Sequence, residues 1–403
     1  MWVLQGGPGA SSIAMESIMA AMYESLNGDY DVCTLDFRGV FRSSRLDCPA
    51  TGVRPFAFFR PLLTPFQYMT PGSPDSCAMA SSEEAPCRSE IASYHVTTYT
   101  STQGAKDLEF LIDNYPTLKT KVAIYGTSYG TFWMFRFAQL FPTRPYMYIA
   151  DSVANPIGPH ADQLWFNDFD VNADPVMRSY LAACSADDFC STYLTADAVE
   201  YANRTLTKVL KNNGCPALTD KFSGTDIVRL LYSTFASGYF SRPAFPAILY
   251  RMNRCRAADV TFIERAMNYT NPLPPTNTLC TNDFTQTIYL QVIFSDMWEN
   301  ITRAQIEARE EGLLFNIGAA LDLYDTKQNW AGTNPDHVYN GVNPAQSGKW
   351  LVLGGTFDAQ TPERFAKTFY DNLSATNVRP RGSFWSLLRP FEALSWLLMP
   401  LCF

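Results

Sequence analysis

The sequence predicts an α/β protein: a mostly parallel sheet flanked by helices and interrupted by a large helical insertion. Three observations carry this. Short apolar runs alternate with helical spacing through residues 1–155 and return after 346, the pattern of strand–helix–strand units. Two of those strands run straight into glycine-rich turns, Gln5-Gly6-Gly7-Pro8-Gly9 and Gly126-Thr127-Ser128-Tyr129-Gly130. Between 156 and 346 the alternation stops and helical segments follow one another. The composition agrees: with 47% hydrophobic, 14% aromatic and 17% charged residues in 403, the chain can fill a large core and is neither disordered nor a coiled coil. A net charge of −8 with no dense Lys/Arg block excludes a nucleic-acid binder, which needs a basic face.

In chain order, Trp2–Leu4 reads as a short buried strand, Ile13–Leu26 as a helix and Tyr30–Asp36 as a second strand. Residues 47–100 are rich in Pro, Ser, Thr and Cys and read as a long excursion stapled by disulfides. Lys106–Tyr115 is helical and stops at Pro116. Lys121–Tyr125 is a strand, Thr131–Phe141 an apolar helix ended by Pro142, and Met147–Asp151 the next strand. Asp197–Asn212, Asp226–Phe235 and Thr285–Ala308 are helices of the insertion. Lys349–Leu353 is again a strand, and Pro362–Leu373 its helix.

Ten cysteines without any Cys-x-x-Cys pair point to disulfides in an oxidising compartment rather than to zinc. Cys48 is expected to pair with Cys77 or Cys87, Cys184 with Cys190, and Cys255 with Cys280. Cys33, inside a strand, and Cys402, in the tail, are expected to be free. Four Asn-x-Ser/Thr sequons, at Asn203, Asn268, Asn300 and Asn372, fit a secreted or lysosomal/vacuolar glycoprotein. The chain opens inside a strand with no signal-like segment, so a missing N-terminus is expected.

The chemistry centres on Ser128. Between a strand and a helix, a G-x-S-x-G turn is so tight that only small residues fit beside the serine, whose hydroxyl is lifted off the sheet. The helix N-terminus beneath it favours negative charge. Gly6 or Gly7, together with the N–H of Tyr129, would form an oxyanion hole. A nucleotide site is a poor alternative, because the spacing is not G-x-G-x-x-G and no Walker lysine exists.

These segments resemble the α/β-hydrolase serine exopeptidases of the proline iminopeptidase and tripeptidyl aminopeptidase type. Gln5–Ser12, Thr34–Ser43, Thr98–Glu109, Tyr125–Tyr129 with Pro142, and Leu353–Pro362 match in family order and cover most of 1–155 and 346–375. The resemblance implies an α/β-hydrolase core (1–155 and 347–377), a mainly helical cap (156–346) and hydrolysis of peptide bonds near a free N-terminus. It implies no cofactor and no metal. Asp358 would be the triad acid, orienting a histidine. Asp283, Asp296 and Glu299 are candidates to bind the substrate's α-amino group. The family's base, however, follows the acid, and none of His95, His160 or His337 follows Asp358. Residues 378–403 form a hydrophobic tail unlike the family's last strand and helix, and Arg389, Pro390, Glu392 and Pro400 interrupt it too often for a membrane span. Phe37 and Phe41 stand where the family has His and Gly, so strain is expected at that loop. An esterase of the same fold and a catalytically inactive binding protein are the alternatives.

Overall fold

The computed structural model describes residues 1–43, 46, 98–115, 121–236, 241–270, 284–328, 330, 337–345, 348–375 and 384–387. Among the described residues, six parallel strands form one sheet: β1 (Trp2–Leu4), β2 (Cys33–Thr34), β3 (Ala123–Thr127), β4 (Met147–Asp151), β5 (Lys349–Gly355) and β6 (Phe384–Leu387), in the order β2-β1-β3-β4-β5-β6. Parallel strands need crossovers, and helices supply them. They are α1 (Glu16–Ser25), α2 (Ser101–Asn114), α3 (Tyr129–Leu140) and, after β5, α14 (Glu363–Ala375). This is the α/β-hydrolase architecture that the sequence predicts, with the helical insertion between β4 and β5. No helix among the described residues is long and apolar enough to cross a membrane.

Alternation within the strands builds a core on each face of the sheet. Trp2, Leu4, Ile124, Tyr148, Ala150, Trp350 and Val352 join the larger cluster under α2, α3 and α14. Met1, Val3, Ala123, Tyr125 and Ile149 face the other way, where Met15 and the partly buried Ile18, Met19, Met22 and Leu26 cover them. Helix α3 is buried from Tyr129 to Ala138. Its Phe135 packs on Phe369 at 4.8 Å and on Trp350 at 5.9 Å, and Trp350 stacks on Tyr148 at 4.2 Å. Each such buried aromatic contributes about 1.5–3 kcal/mol. Arg136, only 1% exposed on the same helix, donates to Thr102 Oγ1 (2.7 Å) and Asn340 Oδ1 (2.9 Å).

The insertion holds α4 (Phe169–Ser185), α5 (Asp188–Leu194), α6 (Ala198–Leu206), α7 (Pro216–Thr219), α8 (Gly224–Ala236), α9 (Ala244–Arg254), α10 (Ala257–Thr270), α11 (Gln286–Asp296), α12 (Arg303–Glu310) and α13 (Ala319–Gln328).

Several expectations change. The single helix over 285–308 is two, α11 and α12, because Thr302 caps the second with a reciprocal Thr302–Gln305 box. The second strand is only Cys33–Thr34, paired with Trp2 and Val3. Residues 384–387, in the segment expected to stand apart from the core, pair in parallel with Val352–Gly355. Cys184–Cys190 forms as expected and Cys33 is a free thiol, half-buried rather than deep in a strand. Cys255 bonds Cys215, not Cys280. It ends α9 in a left-handed conformation (φ 50°), which turns its side chain toward the start of α7. Cys48, Cys77, Cys87, Cys280, Cys402, His95 and Asp283 lie outside the described residues. Phe41 takes a φ of 27°, a costly value for a side chain of its size, as the strain argument expects. Phe37 is buried edge-on against Trp133 (5.0 Å) and Tyr129 (6.0 Å), and the lack of a side chain at Gly104 makes room for it.

Candidate active site

Ser128 stands where β3 ends and α3 begins, half-buried, with φ 54° and ψ −125°. Such a conformation in a non-glycine residue costs about 1–3 kcal/mol and persists only where its surroundings enforce it. They do so here. A methyl at Gly126 would lie 2.5 Å from Gly130 O, and one at Gly130 would lie 2.3 Å from Leu4 O. The two glycines of the motif are therefore contact points between backbones. Ser128 N donates to Asp151 O (3.0 Å), and Ser128 O accepts from Thr131 N (2.9 Å) and Thr131 Oγ1 (2.6 Å). The serine is held from both sides while its side chain projects at the N-terminus of α3, where the helix dipole favours an anion.

The turn after β1 lies alongside. A methyl at Gly6 would come within 2.8 Å of Ser128 Cβ and 3.3 Å of its Oγ, so this backbone passes directly beside the hydroxyl. Gly6 N donates to Gln5 Oε1 (2.8 Å), so the Gln5 side chain must swing aside before that N–H can meet a substrate oxygen. Gly7 follows with φ 117°. Thr285 N donates to Gly9 O (2.8 Å) and Ala10 bridges Phe284, which pins the turn to the entry of α11. Tyr129 N begins α3. The Tyr129 ring is buried, and its hydroxyl meets Ser101 Oγ at 2.8 Å.

Asp358 follows β5, with β4 between it and Ser128, so two strand spacings of about 4.8 Å separate their strands. Its Oδ1 accepts from Gln360 N (2.9 Å) and Thr361 N (3.0 Å), and its Oδ2 from Thr361 Oγ1 (2.8 Å). These bonds hold the turn into α14 and fix the carboxylate in place. Phe357 meets the cap through Tyr180, edge-on at 5.1 Å.

Asp296 does not reach a substrate space. It is fully buried, and its Oδ2 accepts from Ser101 N (2.7 Å) and Ser101 Oγ (2.5 Å). It ties the cap to the start of α2. Glu299 keeps some exposure, 20% of its side chain, but Arg309 grips both of its oxygens at 2.6 and 3.1 Å and also bonds Asp168 at 2.9 Å. His160 stacks on Trp165 at 4.8 Å, with Nε2 3.7 Å from Glu299 Oε1, and His337 packs edge-on against the same Trp165. Asn340, one turn beyond His337, bonds Arg136, eight residues or about 12 Å along α3 from Ser128.

Sequence reasoning missed three groups near the strand ends. Asp151, at the tip of β4, accepts from Tyr125 OH (2.6 Å), and burial pushes its carboxyl up. Tyr232 of α8 is fully buried, and its hydroxyl pKa is raised by burial and then by the charge of Asp358. Arg242 donates Nε to Phe235 O (3.1 Å) and lies over that ring at 4.9 Å. Burial pulls its pKa down while Asp358 opposes the shift. Only the strand-end position of Asp151 was readable in advance. The other two arrive from the cap. Two cavities, of about 410 and 380 Å³, lie elsewhere: one is lined by Glu307, Glu310, Glu311 and Asn316, the other by Asp36, Arg38, Tyr99 and Asp107. The conspicuous Asp-x-Arg-Gly segment serves structure. Asp36 accepts from Ser12 N (2.6 Å) and Arg42 N (2.9 Å), and Arg38 pairs with both oxygens of Asp107.

No family profile and no curated protein matches the chain. Among solved structures, it is similar to epoxide hydrolase A from Mycobacterium thermoresistibile, with a TM-score of 0.31 and 15% identity over 98% of this chain and 90% of that one. A likeness of that size carries no weight for the chemistry, and the assignment of the fold rests on the strand order and crossovers described above.

Proposed function

We propose that the chain is a serine hydrolase of the α/β-hydrolase fold, directed at peptide bonds near a free N-terminus and impaired in catalysis. The observation that carries the proposal is the strained Ser128 at the strand-to-helix turn, with the Gly6 backbone beside its hydroxyl. Ser128 Oγ would attack the scissile carbonyl. The N–H of Tyr129 and that of Gly6 or Gly7 would bind the resulting oxyanion, and Asp358 would orient a base. The three histidines of this sequence all precede Asp358, so the base that would take the serine proton and return it to the leaving amine does not stand at the position the resemblance implies. Turnover is expected to fall to the level of triad deletions, roughly 10³–10⁴-fold over water. With Asp296 buried, Glu299 or Asp283 would bind the substrate's α-amino group, and at Glu299 the amine would have to displace Arg309 from the carboxylate. Secretion through an oxidising compartment is consistent with the Cys184–Cys190 and Cys215–Cys255 disulfides.

The three hydrogen bonds that the Asp358 carboxylate already accepts from its own turn favour a second reading, a binding protein that keeps the fold without the chemistry. One experiment separates the readings. Short acyl esters and aminoacyl arylamides are offered with and without millimolar imidazole, to the parent chain and to S128A. Imidazole should raise turnover by the parent and not by S128A, with arylamides used as well as esters. Turnover confined to esters would indicate an esterase. Indifference to S128A under every condition would sink the hydrolase reading and leave the binder.

A further inference from the structure

Two carboxyl groups meet inside the cap with no base between them. Asp170, in the first turn of α4, is fully buried. Its Oδ1 accepts from Ile317 N (2.8 Å), and its Oδ2 from Ala319 N (2.9 Å) and Ala320 N (3.2 Å). Three N–H donors at the start of α13, together with the positive end of that helix, favour its charged form. Glu310 ends α12 and is 5% exposed. Its Oε2 accepts from Asn316 Nδ2 (3.0 Å), while its buried Oε1 accepts from no donor. Asp170 lies within hydrogen-bonding reach of it. Two carboxylates at that range cannot both stay ionised.

We propose that Glu310 carries a proton and donates it to Asp170, making this junction of α4, α12 and α13 a pH-sensitive clasp that tightens as the medium acidifies. Among the described residues, the nearby cations are each engaged with another acid. On the α12 side the nearest groups are the acids Glu307 and Glu311. From α8, Arg229 reaches toward Asp170 but donates Nε to Ile317 O (3.0 Å) and pairs with Asp322 of α13, and Tyr232 is neutral. Within α4, Asp174 is paired with Arg178. Arg309, beside Glu310 in sequence, is held by Glu299 and Asp168. The cavity of about 410 Å³ lined by Glu307, Glu310 and Glu311 gives water a route to the proton.

Burial, and then the charge of Asp170, raise the Glu310 carboxyl to about 7, and burial raises Asp170 as well. The sign follows. Between the ordinary value near 4.5 and about 7 the folded chain holds a proton that the unfolded chain has lost. Stability therefore rises as pH falls through that window, and above about 7 the contribution is gone and this group no longer changes stability.

Hydrogen exchange of peptides spanning 312–322, corrected for intrinsic rates, tests this. In the parent, protection of the Ile317, Ala319 and Ala320 amides should be ~10-fold or more greater at pH 5 than at pH 8. E310Q places a permanent N–H donor against Asp170 and should hold protection high at both pH values, while E311Q should behave as the parent. A parent with no pH dependence overturns the proposal without recourse to any variant. So does an E310Q chain that keeps the parental slope.

Discussion

The sharpest structural test concerns Gly130. A Cβ added there would stand 2.3 Å from Leu4 O, 2.9 Å from Leu4 C and 3.1 Å from Gln5 O. Real Cβ contacts do not fall below 3.0 Å, so G130A must move helix or strand by at least 0.7 Å. Neither can yield cheaply. Leu4 is fully buried and pairs with Gly126 in the neighbouring strand, and α3 is buried from Tyr129 to Ala138. Overpacking against backbone of this kind costs about 3 kcal/mol or more. With a urea slope of about 3 kcal/mol/M, the unfolding midpoint should drop by about 1 M. G224A is the control: its nearest neighbour would be Leu210 Cδ2 at 3.8 Å, so its stability should stay within about 0.5 kcal/mol of the parent. If G130A unfolds at the parental midpoint, the backbones do not meet as described and the tight-turn argument for Ser128 falls with them.

Two further outcomes are expected. Opening Cys215–Cys255, which closes a separation of 40 residues, should cost about 4 kcal/mol, and opening Cys184–Cys190, which closes 6, about 2 kcal/mol; urea melts of C255S and C190S that reverse this order would contradict the loop-length reasoning. On passage through a eukaryotic secretory pathway, the exposed Asn300 should carry a glycan while Asn372 should not, because Asn372 Nδ2 is buried against Gly158; peptide mapping that finds folded protein glycosylated at Asn372 would refute this.

What could be read in advance was local. Met147–Asp151 is a strand with the expected bounds, and the Ser128 turn takes the strained geometry its glycines announce, because periodicity and steric demand act over a few residues. The second strand is two residues long, while Tyr30 and Val32 before it pack, partly buried, on the cluster beneath α1. The break between α11 and α12 was hidden by apolar spacing that continues through Met297 and Trp298, both buried in a loop. The functional assignment of the acids fared worst. Asp296, Glu299 and Glu310 look alike in a sequence, yet one caps a distant helix, one is gripped by Arg309 and one lies against Asp170. Partners 195 residues away, as for Ser101 and Asp296, are set by tertiary packing, to which no window of sequence has access.

The relay from Asp296 through Ser101 to Tyr129 decides how the cap can move. The Ser101 hydroxyl has one proton and gives it to Asp296, so the Tyr129 hydroxyl must be the donor at the other end. A carboxylate from the end of α11 is thereby moored to the residue that follows Ser128. To lift this corner, the insertion would have to give up the two hydrogen bonds to the Asp296 carboxylate, each worth about 1.5–3 kcal/mol when made to a charged group. Any motion of the insertion that keeps these bonds therefore pivots about this corner, next to the residue that follows Ser128, while the helices farther from it are the ones free to swing.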